Sequence, residues 1–94
     1  MRRAEQAEGT YLLKAVGLRV NWIRRGLGLT QEQLAEHAGW SVRYLQEVEG
    51  GKENLTLRSL AALAALLNVN VSELFKPAEG VELPRPRGRP KKRV

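Results

Sequence analysis

Apolar residues recur at helical spacing through most of the chain and fade at both ends. Leu12, Val16, Val20, Ile23 and Leu27 follow one another at intervals of three and four. That spacing predicts a first helix from about Thr10 to Arg25 with this stripe toward a core. Tyr11, Leu18 and Trp22 form a second stripe beside it, which either completes the edge of the core or offers a surface for self-association. Gly17 costs roughly 1 kcal/mol in mid-helix against alanine, so it serves either close packing or a bend. Thr30 and Gln33 form a Thr-x-x-Gln capping box that opens a second helix. Leu34 and Ala35 point inward from it, with Gln31, Glu32, Glu36 and His37 on the wetter side. Gly39 breaks this helix and Ser41 caps the next, whose seam is Val42, Leu45 and Val48. Gly50-Gly51 stops it. Thr56 caps a fourth helix, Leu57–Leu67, buried through Leu57, Leu60, Leu63, Ala64 and Leu67. A last short helix opens at Ser72 and ends before Pro77, because a residue preceding proline avoids helical geometry. The expectation is an all-α fold of five helices on one leucine-rich core, over residues 10–76, preceded by a frayed, flexible segment at 1–9.

Charge adds a division that the apolar pattern does not show. The 94 residues carry a net charge of +6. Residues 1–84 hold ten Lys/Arg and ten Glu, whereas 85–94 hold six basic side chains and no acid. The folded part is therefore near neutral, and the excess belongs to a basic tail that follows a Pro- and Gly-containing linker at 77–84. The sequence has no cysteine and a single histidine, His37. That leaves no disulfide framework, thiolate site or metal-ligand spacing. The carboxylates are scattered over helix surfaces, so an enzyme is not expected, and no cofactor. No apolar run reaches the roughly 20 residues of a membrane span. A cytoplasmic, nucleoid-associated protein with no membrane attachment and no small-molecule effector site is the expected setting.

Two short helices joined by a glycine turn make a helix-turn-helix. The stretch GLTQEQLAEHAGWSVRYLQEVEGGKENLTLRSLAALAALLNVNVSELF resembles the phage-repressor and Cro type of this domain, the Xre-like family with its lambda-repressor-like fold. The resemblance runs from Val20 to Lys76. It rests on ordered pieces: Gly-Leu-Thr-Gln before the second helix, Ala-Gly in the turn, Val-Glu-Gly-Gly-Lys after the third, and the Ser-Glu-Leu-Phe ending. It implies an ion pair between Arg24 and Glu49 tying the first helix to the third. It also implies that the helix 41–49 enters the major groove of double-stranded DNA with Val42, Arg43 and Glu47 toward base edges. Arg43 suits guanine, Val42 a thymine methyl and Glu47 a cytosine amino group. Gln31 and Lys52 match positions that hold backbone phosphate, and Tyr44 adds a hydroxyl. Arg43 and Glu47 are otherwise plain surface residues. Trp40 either braces the two helices or touches the sugar-phosphate. Family members commonly form homodimers on two-fold half-sites, which sets recognition helices about 34 Å apart.

The tail Arg85-Pro86-Arg87-Gly88-Arg89-Pro90-Lys91-Lys92-Arg93 resembles an AT-hook. Its centre, Arg87, Gly88, Arg89 and Pro90 with Lys91, implies binding in the narrow minor groove of A·T-rich flanks, with glycine letting the backbone sit deep. A loosely binding basic tail or a localisation run are the other readings. The hook is expected to stay unfolded until DNA is present. The expected function is a sequence-specific DNA-binding transcriptional regulator, a repressor acting by occlusion, in which the tail supplies attraction and the helix-turn-helix supplies readout. The alternatives are a protein-interaction or antitoxin-like module, and an architectural nucleoid-type DNA binder.

Overall fold

The computed structural model describes residues 3–77, with side chains from Ala7 onward. Four α-helices and one short 3-10 turn follow in order: α1 Arg3–Gly26, α2 Gln31–Ala38, α3 Val42–Glu49, α4 Leu57–Leu67 and the turn Val71–Phe75. The expected linker and hook, including Arg87, Gly88, Arg89, Pro90 and Lys91, lie outside the described residues apart from Pro77.

Helix α1 begins at Arg3, seven residues before the expected start at Thr10. Ala4, Glu5, Gln6, Ala7 and Glu8 are good helix formers. They need no buried face to continue the helix outward, so a reading keyed to apolar spacing passes over them. Arg24 and Arg25 in the last turn complement the helix dipole.

The core gathers Val16, Val20 and Ile23 of α1, Leu34 and Ala35 of α2, and Leu45 and Val48 of α3. Leu60, Leu63, Ala64 and Leu67 of α4 and Leu74 of the final turn complete it. Three residues expected inside are not there. Leu12 and Leu27 are about half exposed and Leu57 is 81% exposed. Leu12 and Leu57 sit at the N-terminal ends of their stripes, and Leu27 lies just past the end of α1, in the turn before α2.

The fifth helix is a 3-10 turn. Asn70 precedes it without a side-chain cap, and Lys76 is already extended at φ −85°, ψ 149° before Pro77. Five residues between those limits close only i to i+3 bonds, as from Glu73 N–H to the Asn70 carbonyl at 2.9 Å. Arg19 pins this turn to α1. Its Nε donates to the Glu73 carbonyl at 2.8 Å, its Nη2 to Glu73 Oε1 at 3.0 Å, and its Nη1 to the Pro77 carbonyl at 3.4 Å. The same guanidinium lies 4.7 Å over the Trp22 ring. Of the second α1 stripe, Tyr11 and Leu18 are half-buried and Trp22 is exposed. Leu18, Trp22 and Leu27 line an open groove with Leu67 and Val69 of the α4 end. Among the described residues no helix is long and apolar enough to cross a membrane.

Gly17 fixes how closely α1 meets α3. A Cβ there would stand 2.5 Å from the Val48 carbonyl oxygen and 2.6 Å from that of Glu49. The α1 backbone thus lies directly on the last turn of α3, which sets the geometry of the site.

Candidate nucleic-acid interface

The α2–α3 unit is built from local chemistry that the sequence spells out. The Thr30 hydroxyl accepts from the Gln33 N–H at 3.0 Å while Gln33 Oε1 accepts from the Thr30 N–H at 2.9 Å. At the other end Gly39 takes φ 73°, a left-handed geometry, and Trp40 N–H reaches the Ala35 carbonyl at 2.9 Å. A side chain at that φ is strained, so glycine makes the turn this tight. Ser41 then caps α3 by accepting from the Tyr44 N–H at 3.0 Å.

A buried carboxylate locks this unit to α1. Glu49 Oε2 accepts from Arg24 Nε at 2.7 Å and its Oε1 from Arg24 Nη2 at 3.2 Å. Oε1 also accepts from Asn21 Nδ2 at 2.8 Å and from Gln31 Nε2 at 2.9 Å. Arg24 Nη1 donates to the Leu29 carbonyl at 2.7 Å, just before α2 begins. Burial alone would push the Glu49 carboxyl up. The Arg24 hydrogen bonds and charge, with those from Asn21 and Gln31, outweigh it and hold the group below its ordinary value. One cluster therefore fastens α1, the α2 N-terminus and the α3 C-terminus together. It also removes Glu49 from the charge that α3 shows to solvent.

Asn21 was not singled out in the sequence. The signal was present: Gly17, Asn21 and Arg24 share one stripe of α1 at i, i+4 and i+7, next to the apolar one. A glycine, an amide and a basic residue on such a stripe mark a close, polar helix contact.

The outward face of α3 carries Arg43 and Gln46, with Val42, Tyr44 and Glu47 half-buried. Arg43 and Glu47 stand one helical turn apart, with Arg43 Nε 3.5 Å from Glu47 Oε2 and side chains 86% and 37% exposed. Val42 packs against the core edge. The Tyr44 ring meets Trp40 edge-on, centroids 4.7 Å apart at 81°, so Trp40 does brace the turn against α3. Lys52 is exposed, and its N–H donates to the Glu47 carbonyl at 2.8 Å. Gln31 is not a free arm. Besides its bond to Glu49, its Oε1 accepts from Gln46 Nε2 at 3.3 Å. His37 is exposed on α2. No group of three or more His, Asp or Glu among the described residues could hold a metal ion.

Known proteins share both this sequence and this geometry. An HTH-type transcriptional regulator of Sinorhizobium fredii (strain NBRC 101917 / NGR234), y4dJ, is 39% identical over 66 residues, covering 70% of this chain and 86% of that protein. The immunity repressor protein of Bacillus phage phi105 is 42% identical over 59 residues, 63% of this chain. This chain spans 41% of that repressor's length. The crystal structure of the restriction-modification controller protein C.AhdI from Aeromonas hydrophila superimposes with a TM-score of 0.64 at 36% identity, covering 67% of this chain and 96% of that one. The helix-turn-helix family pattern HTH_3 matches residues 20–74, and with more than half of its length inside that pattern the chain belongs to the helix-turn-helix family.

Proposed function

We propose that the protein is a DNA-binding transcriptional regulator that represses by occupying its operator, with α3 in the major groove. The observation that carries this reading is the asymmetry of α3. Leu45, Val48 and Glu49 are buried and fastened, while Arg43 and Gln46 stand out beside Val42 and Glu47. An exposed i,i+4 ion pair is worth roughly 0.3–0.5 kcal/mol. A bidentate arginine–guanine contact discriminates by about 1–3 kcal/mol. Arg43 therefore gains more from a guanine than it loses by leaving Glu47, and Glu47 is released toward a cytosine amino group. Val42 supplies apolar contact to a thymine methyl.

Around that helix, the α2 N-terminus offers its free backbone N–H groups and the Gln31 amide to a phosphate. Lys52 and the Tyr44 hydroxyl hold neighbouring phosphates. The near-neutral folded part binds weakly on its own, because phosphate neutralisation supplies most non-specific affinity. The basic tail makes up the deficit: Arg87 and Arg89, flanked by Gly88, Pro90 and Lys91, lie in an A·T-rich minor groove. Arg87 lies ten positions after Pro77, a reach of at most about 36 Å. That suffices for a groove flanking the α3 site. Two copies on two-fold half-sites complete the operator complex.

A salt-dependent titration of the full chain against its Arg87→Ala/Arg89→Ala variant tests this. The variant should bind more weakly, with a salt slope lower by about 2, yet enrich the same motif from a randomised pool. Enrichment that disappears with the two arginines would show that α3 does not read bases. The exposed groove beside Trp22 and Leu27 favours a second reading, a platform for another protein; it predicts no saturable binding to any duplex.

A further inference from the structure

The amide of Gln31 has only one workable orientation, and a residue without an assigned role maintains it. An ionised carboxylate can only accept hydrogen bonds. Glu49 is held ionised at neutral pH, so the end of the Gln31 carboxamide facing it must be the nitrogen, 2.9 Å from Glu49 Oε1. Turning the amide over would set its oxygen against the carboxylate. The Gln31 oxygen then needs a donor of its own, and Gln46 Nε2 provides it at 3.3 Å from across the turn. Gln31 is the first residue of α2, directly after the Thr30 cap. Its nitrogen carries a second hydrogen that no group among the described residues accepts.

We infer that Gln46 is a positioning residue for DNA binding: with Glu49 it fixes the Gln31 amide so that the second N–H is offered to a phosphate. The inference rests on the reading that Gln31 meets backbone phosphate. Its physical content is preorganisation. An amide held at both ends loses little freedom on binding, whereas an unheld one must be ordered and also presents its oxygen to an anion part of the time. Gln46 thereby makes the seating of α2 on the backbone depend on the placement of α3 in the groove. The link needs no direct contact between Gln46 and a base.

A double-mutant cycle separates this from direct contact. The proteins are the full chain, Gln46→Met, Gln31→Ala and the double variant. The probe is a duplex enriched by the full chain from a randomised pool. Gln46→Met keeps the side chain's bulk and removes the donor. Gln46 is exposed, so the thermal midpoint of Gln46→Met should stay within a degree or two of the parent. Gln31→Ala removes a hydrogen bond to Glu49 and lowers its midpoint, so all four proteins are compared at a temperature where circular dichroism shows each fully folded. Gln46→Met should weaken binding roughly three- to tenfold, the span of one neutral hydrogen bond, and have less than about a twofold effect once Gln31 is alanine. An equal loss in both backgrounds would mean that Gln46 touches DNA itself, overturning the inference and leaving the functional reading intact. If Gln31→Ala binds as tightly as the parent, Gln31 holds no phosphate and the inference falls with that premise. Failure of the parent to enrich any duplex would instead refute DNA readout altogether.

Discussion

Substituting Gly17 by alanine sets two physical effects of opposite sign against each other. Helix propensity alone favours alanine in a helix interior by about 1 kcal/mol. Packing opposes it. The new methyl would stand 2.5 Å from the Val48 carbonyl oxygen, against the 3.4 Å at which ordinary contact begins, so α1 and α3 would have to part by about 0.9 Å. Neither obstacle is the end of a flexible side chain; both are backbone oxygens of a buried turn. Overpacking of this kind costs about 1–3 kcal/mol. The same separation stretches the 2.7 Å Arg24–Glu49 and 2.8 Å Asn21–Glu49 bonds, and hydrogen bonds to charged groups contribute about 1.5–3 kcal/mol each. Even partial loss there leaves packing ahead of propensity, with a net destabilisation of about 2 kcal/mol. For a domain of this size that lowers Tm by roughly 8–16 °C. Urea and thermal denaturation followed by far-ultraviolet circular dichroism will measure it. A Gly17→Ala protein as stable as the parent, or more stable, would refute the argument that α1 rests directly on the end of α3.

Three further outcomes follow from the same geometry. Because the Glu49 carboxyl titrates below its ordinary value in the folded state, the unfolded chain takes up its proton first. Glu49 therefore adds stability above a pH of about 4.3 and loses it progressively as pH falls through the folded value. Glu73 is also held low, by its hydrogen bond to Lys76 and then by Arg19, and contributes in the same acid window. Glu49→Gln should lower the unfolding free energy from urea titration at neutral pH by roughly 3 kcal/mol, for a buried arginine left without its counter-charge, and flatten the acid limb; an unchanged limb would exclude Glu49 as its source. Arg43→Ala should relax preference at one base pair of the selected motif by about 1–3 kcal/mol, whereas a uniform loss on all duplexes would make Arg43 a phosphate contact. Asn68, left-handed at φ 60° after α4, should tolerate glycine within about 0.5 kcal/mol and lose about 1–2 kcal/mol as valine; equal stabilities would contradict its capping role.

The sequence alone determined what depends on neighbouring residues. Thr30 with Gln33, Ser41 and Thr56 cap their helices by bonds spanning three residues, so each start was legible as a local pattern. Gly39 ended α2 because of its own backbone freedom, and Val16, Val20 and Ile23 stood in register because 3.6 residues make a turn. The same locality explains the misses. Periodicity gives the angle of a residue around its helix but not whether another element covers that point, so Leu12, Leu27 and Leu57 were placed inside and lie outside. A helical start such as Arg3–Glu8, with no large apolar residue in it, leaves no apolar period to read. The pairing of Arg24 with Glu49 came from family resemblance. The tertiary structure alone joined Asn21 and Gln31 to that pair, stacked Arg19 on Trp22 while binding Glu73, and set Gln46 against Gln31. Apart from the stacking of Arg19 on Trp22, those contacts join residues 15 to 54 apart in the chain. A polar side chain can choose among many partners until packing, here the approach of α1 to α3 at Gly17, brings one set within reach and excludes water from it.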